Sequence, residues 1–79
     1  MGNAKQEIGT RLREIRTKNG LTQAQLADLV SVSRQTINYI EMGTYCPSTK
    51  LALQLATALH VRVEEMFFLF ENGNGSNHK

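Results

Sequence analysis

At 79 residues and a formal net charge of +2, the chain has room for one domain with a small core. Its single cysteine, Cys46, excludes an intrachain disulfide, and its longest apolar run, Met66 to Phe70, is too short to cross a membrane. No signal peptide is recognisable, so a soluble cytoplasmic protein is expected; the overall charge balance says little about partners, but Lys5, Arg11, Arg13, Arg16 and Lys18 gather against Glu7 and Glu14 in a flank suited to drawing in an anionic partner.

In chain order, Met1 to Asn3 reads as a frayed terminus. Asn3 and Gln6 have the spacing of a helix-capping pair, and Ala4, Ile8, Leu12 and Ile15 then recur at helical spacing, which predicts a first helix ended by Asn19-Gly20. Gly20 is expected in the left-handed conformation. Thr22 and Gln25 fit a capping box, with Leu21 and Leu26 as a hydrophobic staple across it. The second helix presents Leu26, Ala27 and Val30 on one side, and the small Ala27 lets another helix come close. Ser31-Val32-Ser33 breaks the pattern. Ser33 is the N-cap of a third helix, about Arg34 to Met42, and Gly43 stops it.

Thr44 to Pro47 reads as a loop, after which Ser48 caps a fourth helix over about Thr49 to Leu59. Leu51, Ala52, Leu55, Ala56 and Leu59 form its apolar stripe. Val63 to Phe70 is the last apolar segment. Val63, Met66, Phe67 and Phe70 could share one helix face, but the run Phe68 to Phe70 is equally compatible with a short strand. All three phenylalanines lie here, more rings than one small domain is expected to bury. Residues 63–70 are therefore assigned as a dimerisation segment, with Phe67, Phe68, Leu69 and Phe70 as interface residues. Met66 goes to the core, and Phe67 is compatible with either role. Residues 1–71 then form the domain and 72–79 (NGNGSNHK) a tail that is flexible by composition.

The third helix carries the informative chemistry. At about 100° per residue, Ile37 and Ile40 point one way while Arg34, Gln35, Asn38 and Met42 cluster opposite, with Tyr39 at their edge. A polar outward face is usual on a surface helix. These residue types, however, are also those that read bases in a DNA major groove: Arg pairs bidentately with guanine, Asn or Gln with adenine. No catalytic alternative competes. Cys46, His60 and His78 lack metal-ligand spacing, and neither a nucleophile–base pair nor a glycine-rich phosphate loop is recognisable. No enzyme activity, metal or cofactor is expected.

The segments TQAQLA, then SVSRQTINYIE, then Gly43, Pro47 and Ser48 resemble the helix-turn-helix regulators of the Cro, lambda-repressor and Xre type, over about Leu12 to Phe67. The resemblance implies an all-α, compact five-helix domain that binds operator DNA as a homodimer, with its recognition helix in the major groove. Carried over position by position, it places Ser33, Arg34, Gln35, Asn38 and Tyr39 toward the groove. It places Gln23 at a backbone phosphate beside a helix N-terminus, and Thr44 where the family often has a phosphate-binding Lys. It also implies an ion pair between Arg16 and Glu41. Ser31 and His60 stand where the family often has Gly, Met42 where it often has Asn, Arg62 where Ser or Thr often caps the last helix, and Leu29 where a polar residue is usual.

The expected function is a sequence-specific, DNA-binding transcriptional regulator, a repressor acting on a palindromic operator as a homodimer in the nucleoid. The alternative is an antitoxin-like or adaptor protein whose apolar C-terminal segment binds another protein, with DNA binding secondary.

Overall fold

Short polar side chains set where most of the helices begin. In the computed structural model, which describes residues 6–71, helices run over Leu12–Lys18 (α1), Gln23–Val30 (α2), Arg34–Glu41 (α3), Thr49–Leu59 (α4) and Val63–Met66 (α5). The Thr22 hydroxyl accepts the Gln25 amide at 3.0 Å while Gln25 reaches back to the Thr22 amide at 2.9 Å, completing the capping box ahead of α2. Ser33 and Ser48 cap α3 and α4 in the same way, through the amides of Thr36 and Leu51. Arg62 precedes α5 without a side-chain cap; instead Glu65 accepts the Arg62 amide at 2.7 Å.

Gly20 and Gly43 close α1 and α3 at φ of +71° and +80°, a region open to glycine at no steric cost. Ser31 and His60 make the same turn after α2 and α4, at φ of 60° and 59°. Both carry a Cβ into the left-handed region, at a cost of roughly 1 kcal/mol each.

The apolar faces of the helices converge on one core. Leu12, Leu26, Ile37, Ile40, Leu55, Leu59 and Met66 are fully buried, with Ala27, Val30, Leu51, Ala56 and Phe67 around them. Ala27, only 2% exposed, sits where α2 meets the core, consistent with its small size permitting close approach.

Two expectations need correction. The first helix does not start near residue 4. Gln6–Thr10 is a strand, β1, so Gln6 caps nothing and Ile8 reaches the core from a strand; Asn3 and Ala4 lie outside the described residues. Nor is the chain all-α. Phe67–Glu71 forms a second strand, β2, antiparallel to β1 with Ile8 opposite Leu69 and Gly9 opposite Phe68. The helical face proposed for Val63, Met66, Phe67 and Phe70 therefore ends at Met66. The reason is pairing: helical spacing can recur by chance in a few residues, whereas Phe67–Glu71 supplies β1 with a continuous ladder. Gly9 favours this outcome, because a Cβ there would stand 2.5 Å from the Phe68 ring. The Arg11 guanidinium lies over the same ring, 4.4 Å from its centroid. The predicted tail, 72–79 with His78, lies outside the described residues.

Candidate nucleic-acid interface

Burial of Ile37 and Ile40 fixes the roll of α3, and the rest of the wheel follows. Arg34, Gln35 and Tyr39 are exposed and Asn38 is half-buried, so the polar row faces out rather than into the protein. Met42, 61% exposed, continues it. Ser33 is exposed, but its hydroxyl is held by the Thr36 amide at 3.1 Å and the Thr36 hydroxyl at 3.0 Å. Thr44 is exposed beyond the turn, its hydroxyl on the Tyr39 carbonyl at 3.2 Å.

The row is tied to α2 through Gln23. The two amide hydrogens of Gln23 serve Asn38 Oδ1 at 3.2 Å and Glu41 Oε1 at 3.0 Å, while its oxygen accepts from Arg34 Nη1 at 3.0 Å. Asn38 in turn donates to Met42 Sδ at 3.3 Å. One side chain at the start of α2 thus touches three positions along α3.

Beneath the network lies the ion pair. Arg16 Nε meets Glu41 Oε2 at 2.6 Å and Nη2 meets Oε1 at 3.2 Å, a two-point contact, while Nη1 donates to the Leu21 carbonyl at 2.8 Å. The side chains are only 10% and 4% exposed. Arg16 is therefore used up inside the protein, linking α1, the turn before α2 and the end of α3. The pair implied by the family resemblance is present.

The result is an open cleft of mixed polar and apolar lining. Arg13 of α1, Thr22, Gln23 and Ala24 at the start of α2, and Arg34, Asn38 and Met42 from α3 and its C-cap all border it. The unpaired amides at that helix start favour an anion. The sequence marks Arg13 only as part of a basic flank; its place one helical turn from Arg16 is the signal for more. The four residues assigned to the dimer interface divide. Phe67 is 9% exposed and packs in the core, while Phe68, Leu69 and Phe70 remain 36%, 64% and 45% exposed.

Comparison with known proteins agrees with this architecture. The helix-turn-helix family HTH_3 matches residues 12–66. The chain belongs to this helix-turn-helix family. It is 47% identical over 58 residues to an uncharacterised HTH-type transcriptional regulator of Archaeoglobus fulgidus, covering 73% of this chain and 83% of that one. A second such regulator, from Methanothermobacter thermautotrophicus, is 48% identical over 65 residues, with 81% and 94% covered. Among solved structures, the restriction-modification controller protein C.AhdI of Aeromonas hydrophila superimposes with a TM-score of 0.66 at 42% identity, covering 70% of this chain and 83% of that protein. The family and these relatives are transcriptional regulators, not enzymes, and this helix-turn-helix chain is placed with them. Among the described residues no group of His, Cys, Asp and Glu could hold a metal ion, and no helix is long and apolar enough to cross a membrane.

Proposed function

We propose that the protein is a repressor that binds a palindromic operator in the bacterial or archaeal nucleoid as a homodimer and reads it through α3. The observation that carries this reading is the outward row Arg34, Gln35 and Asn38, two of whose members, Arg34 and Asn38, are hydrogen-bonded to Gln23 above a buried ion pair. A helix face that merely meets water needs no such bracing. In the proposed complex Arg34 and Gln35 meet base edges, Asn38 and Tyr39 lie along the same groove wall, and Ser33, Gln23 and Thr44 meet backbone phosphates. Arg34 gives one of its five donors to Gln23 in the free protein, so binding either rotates Arg34 onto a guanine or presents the pair to a phosphate as a unit.

Dimer symmetry sets the operator. Two copies of α3 enter successive major-groove faces of one side of the duplex when half-site centres lie about 34 Å apart. Selection of bound sequences from random duplex DNA, read together with the mass of the complex, tests specificity, symmetry and stoichiometry at once. Enrichment of an inverted repeat bound by two chains is the expected result. Recovery of no sequence preference at any salt concentration refutes the reading.

One observation favours a second reading. The exposed run Phe68, Leu69 and Phe70 would suit a foreign protein as well as a second copy. An antitoxin-like or adaptor role predicts a stoichiometric complex with that protein, and loss of the complex, not of DNA binding, when the run is made polar.

A further inference from the structure

The register of the sheet shows which backbone groups of β2 are left over. The Arg11 amide donates to the Met66 carbonyl at 2.8 Å, so Arg11 and Met66 form a hydrogen-bonded pair at the head of the ladder. Hydrogen-bonded and non-hydrogen-bonded pairs alternate in an antiparallel ladder. Gly9 and Phe68, then Glu7 and Phe70, are therefore the next hydrogen-bonded pairs, and the polar groups of Phe67, Leu69 and Glu71 point away from β1. The Phe67 amide is already used by the Val63 carbonyl. The Phe67 carbonyl, both groups of Leu69 and the Glu71 amide remain on the outer edge, and the elements packed most closely on β2 are β1 and α5, the helix leading into it.

Resting on the homodimer reading above, we propose that this outer edge pairs with β2 of a second copy, antiparallel about a two-fold axis at Leu69, giving a four-stranded sheet across the dimer. The leftover groups match themselves in this register and in no other that keeps all five residues overlapped. Leu69 exchanges two hydrogen bonds with the partner's Leu69, and each Glu71 amide reaches the partner's Phe67 carbonyl. Phe68 then stands opposite the partner's Phe70. Since Phe68 and Phe70 of one strand already lie 6.2 Å apart by ring centroid, four rings close over one face of the joint. Charge agrees with the direction, because antiparallel pairing holds the two Glu71 carboxylates at opposite ends of the joint.

Area supports an edge contact over simple stacking of side chains. Aromatic side chains bury about 150–250 Å² each. At their fractional exposures, Phe68, Leu69 and Phe70 offer on the order of 250 Å² per copy, against about 800 Å² per partner in stable complexes. The rings alone hold too little, whereas edge pairing adds backbone hydrogen bonds and brings Ile8 and the β1 strands alongside. The outer edge of β1 is the poorer candidate: a two-fold at Ile8 would set Glu7 against the partner's Gly9 and cover no ring.

The test uses the full chain with Cys46→Ser. Phe68→Cys and Phe70→Cys proteins are prepared separately, and the mixture is oxidised mildly. A non-hydrogen-bonded cross-strand pair lies within disulfide reach, but two copies of the same position are a diagonal apart and beyond it. The mixture is expected to give a disulfide-linked 68–70 dimer while each protein alone does not. Linkage of either protein with itself, or none in the mixture, overturns the register. As a second arm, Leu69→Lys sits at an exposed position and leaves the core intact, which circular dichroism and the Tm verify; it should raise the dimer dissociation constant about tenfold or more by sedimentation equilibrium. An unchanged dimer in Leu69→Lys overturns the edge pairing and leaves the homodimer reading standing. A wild-type chain that is monomeric both free and on operator DNA overturns both.

Discussion

A single Cβ decides the backbone at Ser31 and His60. Both sit in the left-handed region, φ 60° and 59°, where the side chain crowds the backbone. Replacing Ser31 by Gly removes that strain and gives back part of the gain as unfolded-state freedom. Ser31→Gly is therefore expected to raise stability by about 0.5–1 kcal/mol, read as a shift in the urea midpoint at unchanged slope; a destabilised protein would mean that the Ser31 side chain has a use not visible in its surroundings. Arg34 makes the complementary case for function. Among the described residues its exposed guanidinium has one partner, Gln23 Oε1 at 3.0 Å, so Arg34→Ala should leave the fold unchanged. The same change should cost about 1–3 kcal/mol of operator binding and relax preference at one base pair. Equal loss on all sequences would reassign Arg34 to a phosphate.

Between elements, the deciding contact is the ion pair of Arg16 with Glu41. It connects α1 to the end of α3, and Gln23 from the start of α2 joins the same carboxylate. Removing Glu41 strands a guanidinium that is 8% exposed as a residue and leaves a Gln23 hydrogen unpaired. Glu41→Ala is expected to destabilise by about 3 kcal/mol, and to weaken DNA binding in the molecules that remain folded, because the roll of α3 loses a restraint. A loss under about 1 kcal/mol in chemical denaturation would show that the pair is a minor restraint. The sheet has its own restraint in Gly9, which presents the hydrogen in the Cβ position to the Phe68 ring. That ring should shift the Gly9 Hα resonances upfield in proton NMR, and Phe68→Leu should remove the shift. Ordinary Gly9 shifts in the wild type would contradict the stacking.

For the molecule as a whole, two surfaces divide the work. The open cleft bordered by α1, the start of α2 and α3 serves the proposed DNA contact, and the β1–β2 sheet, built from the two ends of the domain, carries the apolar run. Phosphate neutralisation releases counterions, so operator affinity should fall linearly on a log–log salt plot. Thr44→Ala should lower affinity on every sequence to a similar degree, as positioning contacts do, measured by fluorescence anisotropy with operator and scrambled duplexes. A sequence-dependent loss for this variant would move Thr44 to base reading.

Local chemistry was enough to place the central helices. The Thr22–Gln25 box, the Ser33 and Ser48 caps and the Gly20 and Gly43 stops act within a few residues, and each formed as the sequence predicts. The outward direction of Arg34, Gln35 and Asn38 was legible too, since Ile37 and Ile40 can face only the core and the helical period places everything else. What the sequence could not decide was Gln6–Thr10 and Phe67–Glu71. Each is too short for periodicity to separate strand from helix, and each becomes a strand only because the other, more than fifty residues away, supplies its hydrogen bonds. The hub at Gln23 was hidden for the same reason. The family resemblance implies only a phosphate contact for Gln23, and only the packing of α2 on α3 brings Arg34, Asn38 and Glu41 within its reach.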